Sequence, residues 1–308
     1  MNRSRPQDLK QAGNCGVGGI PGTVLCLKMA VCLLFVGRGW LYMAGMSPLS
    51  TFFWNESWMT GPVESILGMS WSAYASSSEP LMIQVQTGLG YFFLMAAACT
   101  WFCGRKRTLP NGVLLSAWLV SLPHGLLTWV EMNYSWALLL EYFVQALVPL
   151  LLVTADGRWS TRTWYYLAAI ASAATFVGHG IYAWGWPYPR PASFSFMTMN
   201  LLGLSQAASG VFLCFIAVID VIAAGGLFFR RARKYAAIYM VVWGSLTALA
   251  RPLTHFTRAE DYYGLHPWIA ESLVRMPHAL LPLACLLIVV NWERQRRLKC
   301  DPACSTSP

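Results

Sequence analysis

Glu271 to Pro282 reads ESLVRMPHALLP, an acid, a base and an imidazole inside an apolar run from Pro267 to Trp292. At helical periodicity Glu271, Arg275, His278 and Pro282 recur at i, i+4, i+7 and i+11, which lines them up on one face. Pro282 has no N–H, so the carbonyl of His278 loses its helical partner, and Pro277 does the same to Leu273. A run of this length and apolarity reads as a membrane-spanning helix. Polar side chains and freed carbonyls at that depth have to face protein, water or a ligand, because lipid cannot answer them.

The rest of the chain agrees. Of 308 residues, 56% are hydrophobic and 11% charged, whereas soluble domains carry about a quarter charged residues. Eight apolar spans can be drawn: Thr23–Gly45, Leu81–Cys103, Gly112–Tyr134, Trp136–Ala155, Thr163–Gly185, Leu202–Phe229, Tyr235–Leu253 and Pro267–Trp292. Each is close to or above the roughly 20 residues that cross the hydrocarbon core. The expected fold is an all-α polytopic bundle, residues 23–293, between a polar tail at 1–22 and a basic tail at 294–308.

The net charge of +9 sits in short clusters between spans. Arg3, Arg5 and Lys10 precede span one, and Arg105, Lys106 and Arg107 follow span two. Arg158 and Arg162 follow span four, Arg230, Arg231, Arg233 and Lys234 follow span six, and Arg294, Arg296, Arg297 and Lys299 follow span eight. The other side has only Arg190, Arg251 and Arg258. By the positive-inside rule both termini are expected in the cytoplasm. The same distribution argues against nucleic acid as a partner; the expected partners are the lipid bilayer and other membrane subunits, with the bacterial inner membrane as the location. The first apolar run lacks a clear small-residue cleavage site, so it reads as a retained helix. Cysteines Cys26, Cys32, Cys99, Cys103, Cys214 and Cys285 lie in apolar segments and imply no disulfide framework, and Cys300 and Cys304 fall in the tail.

Between spans one and two, residues 46–80 carry no Lys or Arg but hold Glu56, Glu64, Glu79, Trp54, Trp58 and Trp71. This composition predicts a short helix in the outer interface, either an anchor or a lid. The prolines of WPYPRPASFSF after span five predict an extended, stiff loop. PHGLLTW (Pro123–Trp129) and GHGIYAW (Gly178–Trp184) share His-Gly and Trp, a short internal echo.

Depths counted from the cytoplasmic end at about 1.5 Å per residue put His124 roughly 18 Å in, Glu141 about 20 Å, Arg38 and His278 roughly 22 Å and His179 roughly 24 Å. Arg275 and Glu131 fall slightly further out, and Asp220 about 14 Å in, within reach of Lys28 or in a pocket of its own. Charged groups at the centre of a span cost about 2.5–3.5 kcal/mol each on insertion scales, so a layer drawn from five helices calls for an explanation. The ligand-binding candidates are therefore Arg38, His124, Glu131, Glu141, His179, Asp220, Glu271, Arg275 and His278.

Three readings fit this layer. In a redox site, His124, His179 and His278 offer axial nitrogens to a haem b iron, with Arg38 or Arg275 at its propionates, or the layer binds a quinone. In a transporter or sensor, the two arginines hold a small anion while Glu and His relay protons. In a structural subunit, the layer only fixes packing: Arg38 ties helices through Glu131 or Glu141, each His is a packing residue, and Gln145 and Tyr142 bond between helices. Glu271 and Arg251 also read as ordinary interface residues. No catalytic motif is present. The stretch LLFVGRGWLYMAG (Leu33–Gly45) resembles DoxX-like membrane proteins, a resemblance that covers the first third of the chain and implies quinone-linked chemistry; those proteins usually have four spans, where eight are read here. Topology reporters placed after Arg107 and beside Trp54 are expected on opposite sides of the membrane; finding both on one side would overturn the eight-span reading.

Overall fold

The computed structural model describes residues 17–20, 22–104, 106–157, 159–256 and 262–300. The tail basics Arg3, Arg5 and Lys10, the loop residues Arg105, Arg158 and Arg258, and Cys304 lie outside the described residues. Among the described residues, eight helices are long and apolar enough to cross a membrane. They are α1 (Thr23–Met43), α5 (Glu79–Thr100), α6 (Thr108–Glu131), α7 (Trp136–Thr154), α8 (Thr161–Trp184), α10 (Gln206–Gly226), α11 (Arg233–Phe256) and the broken pair α12 (Tyr262–Arg275) and α13 (Pro277–Cys300). Shorter helices α2 (Leu49–Phe53), α3 (Glu56–Pro62), α4 (Trp71–Ser77) and α9 (Ala192–Leu202) lie between them.

Glycine decides how closely these helices approach. Gly37 and Gly39 flank Arg38 on α1, and each faces a different neighbour. A Cβ at Gly37 would stand 2.6 Å from the carbonyl oxygen of Ala270 on α12, and one at Gly39 would stand 2.8 Å from that of Gly90 on α5. Small residues at such crossings let backbones meet where a side chain would hold them apart. Arg38 then points the third way, toward α7. Gly178 on α8 plays the same part against α7, where an added Cβ would lie 2.7 Å from the amide nitrogen of Glu141.

Two of the apolar runs are organised differently from the expectation. Leu202–Phe229 is not one long span. Leu202 ends the outer helix α9, Gly203 turns the chain at φ +66°, and Ser205 caps α10 by accepting from the N–H of Ala208. The loop before α9 is irregular through its prolines, but Ala192 already begins a helix. Residues 46–80 hold several short helices rather than one, because Asn55 and Ser70 start new helices by capping Trp58 and Ala73 and Gly68 reverses the chain at φ +64°. They pack on α5 and α6, with Trp54 Nε1 donating to Ser78 Oγ at 3.0 Å and the Thr51 hydroxyl donating to Glu131.

The stretch ESLVRMPHALLP straddles a break. Helix α12 stops at Arg275, Met276 turns, and Pro277 starts α13, as a missing N–H and a ring clash require. The carbonyl of Leu273 is not orphaned: it accepts from Met276 N–H at 3.2 Å. The carbonyl of His278, freed by Pro282, lies against Gly244 of α11, where a Cβ would come within 2.7 Å of its oxygen. Protein, not lipid, faces it.

Replacing Gly178 with alanine forces α7 and α8 apart at a backbone contact and is expected to destabilise the protein by about 1–3 kcal/mol. Gly61→Ala, with open space around it, serves as the control. Thermal melting of the purified proteins in lipid checks this; equal midpoints for the two variants would contradict the close approach.

Candidate functional site

The polar residues resolve into two assemblies rather than one layer. The first joins α1, α6 and α7. Arg38, only 1% exposed, donates from Nη1 to the Tyr142 hydroxyl at 2.9 Å and from Nη2 to Gln145 Oε1 at 2.7 Å. Tyr142 passes its own proton to the Ser121 carbonyl at 2.6 Å. His124 bonds through Nδ1 to the Tyr42 hydroxyl at 3.0 Å and stacks on the rings of Tyr42 and Tyr142. Gly125 allows this, since a Cβ there would meet the Tyr142 ring at 2.5 Å. Arg38 is therefore tied by Tyr142 and Gln145 rather than by Glu131 or Glu141. Neither Arg38 nor His124 lines the cavity described next.

The second assembly surrounds a cavity of about 370 Å³ between α7, α8, α9, α10, α11 and α12–α13. Its polar wall holds Glu141, His179, Arg251, Arg275 and His278. Arg275 Nη2 stands 3.7 Å from Glu141 Oε1, and Arg251 Nη1 donates to Glu271 Oε2 at 2.9 Å. These cross-helix pairs set two cations, Arg251 buried and Arg275 partly exposed, against two carboxylates. Arg251 is thus a buried residue of the site, not an ordinary interface residue. His278 is buried on the same wall, and its Nε2 has no hydrogen-bond partner.

His179 enters from α8. Its Nδ1 lies 2.8 Å from Asp220 Oδ2 on α10, and Asp220 Oδ1 accepts from the Tyr239 hydroxyl of α11 at 2.7 Å. Asp220 is fully buried. Gly180 sits beside it, with room for α8 and α10 to close. The upright ruler separates His179 and Asp220 by about 10 Å. Their hydrogen bond removes that separation, because tilted spans do not start at one plane. Lys28, the other partner considered for Asp220, instead donates to the Trp101 carbonyl at 3.0 Å.

The remaining wall is apolar: Phe194, Met197, Phe212, Leu213 and Trp243 form the body, and the exposed side chains Leu201, Leu202, Leu246, Leu249 and Leu253 rim the mouth. The mouth is made of exposed leucines on α9 and α11, two helices that also bear apolar surface of the kind lipid accepts.

Of the nine sequence candidates, Glu141, His179, Arg275 and His278 meet at the cavity, while Glu271 and Asp220 stand behind it, each bonded to a wall residue. Arg38 and His124 belong to the packing cluster. Glu131 lies exposed at the end of α6, bonded to Thr51. Tyr239 and the apolar body escaped the sequence reading; a buried Asp calls for a second donor, but the sequence does not say which helix supplies it. Among the three imidazoles, only His179 and His278 share a space, and they share it with two guanidinium groups. Among the described residues no group of three or more His, Cys, Asp or Glu could hold a metal ion. No family model, curated protein or solved structure matches this chain.

Arg38→Ala leaves the buried Gln145 Oε1 without its donor, while Tyr142 keeps its bond to Ser121, and is expected to cost about 1–3 kcal/mol for the group left unpaired. Because Arg38 lies away from the cavity, the variant should melt earlier yet bind cavity ligands with unchanged affinity. A changed affinity at an unchanged melting temperature would place Arg38 in the site after all.

Proposed function

We propose that this membrane protein binds a bilayer-dissolved amphiphile, an apolar body carrying one head group with hydrogen-bond-accepting oxygens. The observation that carries this reading is the buried, unpartnered Nε2 of His278 on the polar wall of a cavity whose mouth is rimmed by exposed leucines. A buried nitrogen without a partner costs about 1–3 kcal/mol, and a turn of the His278 ring toward the cavity would let a head-group atom answer it. Arg251 and Arg275 supply further N–H donors on the same wall, while Phe194, Phe212 and Trp243 match an apolar or ring-bearing body.

Quinones fit this description with a neutral head, and sulfonate- or carboxylate-headed lipids fit it with an anionic one. A small hydrophilic anion fits less well, since it gains nothing from the apolar body and would have to pass the leucine rim. The DoxX-like stretch Leu33–Gly45 lies on α1, away from this cavity, so support for a quinone rests on the wall residues alone. A haem b finds less support, because His124 is held between Tyr42 and Tyr142 and two guanidinium groups flank the remaining imidazoles.

The test uses protein in lipid nanodiscs with four probes: decylubiquinone, dodecylsulfonate, dodecane and inorganic sulfate. Saturable binding of either oxygen-headed amphiphile, weakened at least about tenfold (about 1.4 kcal/mol) in Arg275→Met and His278→Leu, supports the proposal. Leu246→Trp, an exposed rim position, should slow binding without altering the fold. Binding of sulfate alone would favour the small-anion reading, and binding of none of the four would overturn the proposal.

A further inference from the structure

The His179–Asp220–Tyr239 chain gives the proposed site a second property, and this inference rests on that reading. Asp220 is buried with no exposure and spans two partners: Tyr239 donates to Oδ1 at 2.7 Å, and His179 Nδ1 shares a proton with Oδ2 at 2.8 Å. The Tyr239 hydroxyl has one proton, and it is committed to Asp220. That leaves one variable proton in the unit. Without it, Asp220 is a carboxylate, His179 donates from Nδ1, and Nε2 presents a lone pair. With it, either as an imidazolium against a carboxylate or as a neutral His–Asp pair, Nε2 carries an N–H. His179 makes no other hydrogen bond among the described residues, and its ring lines the cavity.

The rest of the wall favours the protonated form when a ligand enters. Every neighbouring helix contributes: Glu141 from α7, Arg251 from α11, Glu271 and Arg275 from α12 and His278 from α13. The two arginines and two glutamates cancel in pairs. Without the extra proton, the His179–Asp220 unit leaves the site with a net negative charge and turns a lone pair toward the incoming oxygen. Both repel an acceptor head. With the proton, the unit is neutral and offers a donor. Of the two wall histidines, His179 is the one with a carboxylate within hydrogen-bond reach of its Nδ1.

We infer that the site binds an acceptor-headed amphiphile together with one proton, held by the His179–Asp220 pair and donated as an Nε2–H hydrogen bond to the head. No covalent bond forms or breaks, and the proton stays shared between His179, Asp220 and the ligand oxygen. Asp220 and Tyr239 are positioning residues: they set whether His179 faces the ligand as donor or acceptor.

The same two amphiphiles test this, because neither decylubiquinone nor dodecylsulfonate gains or loses a proton between pH 5 and 9. Dissociation constants measured across that range in nanodiscs should rise about tenfold per pH unit above the titration of the pair, a limiting slope of one proton. Asp220→Asn should flatten the slope in that range. Tyr239→Phe removes a donor to the carboxylate and should move the pH at which the slope begins while the fold is retained. His278→Gln should weaken binding at every pH but keep the slope. A dissociation constant independent of pH in the unaltered protein, or a slope that follows His278→Gln instead of Asp220→Asn, would overturn the inference and leave the binding site standing. Failure of both amphiphiles to bind would remove the site itself.

Discussion

Lipid offers no hydrogen bond, and this constraint organises the molecule. Every polar group carried into the membrane has to be answered from within the bundle. Arg38 shows the consequence most directly. Its guanidinium is almost fully buried and is held at both Nη atoms by Tyr142 and Gln145, two side chains one turn apart on α7. Those bonds can form only because Gly37 and Gly39 draw α12 and α5 onto the other two sides of α1. The same logic recurs at His124 and His179, each followed by a glycine that leaves room for the neighbouring helix. The short echo between Pro123–Trp129 and Gly178–Trp184 thus corresponds to one packing device used twice, with Tyr42 answering one histidine and Asp220 the other.

Against that background, the cavity stands out because its polar wall carries two cross-helix ion pairs beside open volume. The first assembly bonds both Nη atoms of Arg38 and Nδ1 of His124, and neither residue lines that space. The second pairs Arg251 with Glu271 and Arg275 with Glu141, and sets on the cavity wall His278, whose Nε2 has no partner among the described residues. Paired charges without full hydrogen-bond saturation suit a binding wall: the ion pairs hold their side chains in place in the absence of ligand, and the remaining donors give the ligand something to satisfy. The break at Met276 contributes directly. It separates Arg275 from His278 by a turn that belongs to neither helix, so the two side chains reach the cavity from the end of α12 and the beginning of α13.

The apolar side of the cavity explains why a lipid-like occupant is the natural candidate. Helix α9 was hidden in sequence because it is only eleven residues long and runs almost directly into α10. Phe194, Met197, Leu201 and Leu202 of that helix supply much of the body and rim. As single residues they look like any others in a chain that is 56% hydrophobic. No periodicity distinguishes an apolar side chain that faces a cavity from one that faces lipid, since both environments accept it equally.

The sequence by itself determined the class of this protein and the inventory of its polar groups. Apolar runs of spanning length allow few folds, and eight of them with charge clustered in the loops left little freedom. Their centres reappear as helices, with boundaries shifted by a few residues except at Leu202, where Gly203 and Ser205 divide one expected span from the helix before it, and in the last span, which is longer than expected and breaks at Met276. The candidates Glu141, His179, Arg275 and His278 were legible because ionisable groups are rare and costly at that depth. Only the tertiary structure decided which groups meet. Depth along a span follows from counting, but the rotation and tilt of each helix follow from packing against its neighbours. Those two angles turned Arg38 toward Tyr142, carried Asp220 to His179 instead of Lys28, and set Arg251 and Tyr239 beside a site that counting alone had not assigned to them.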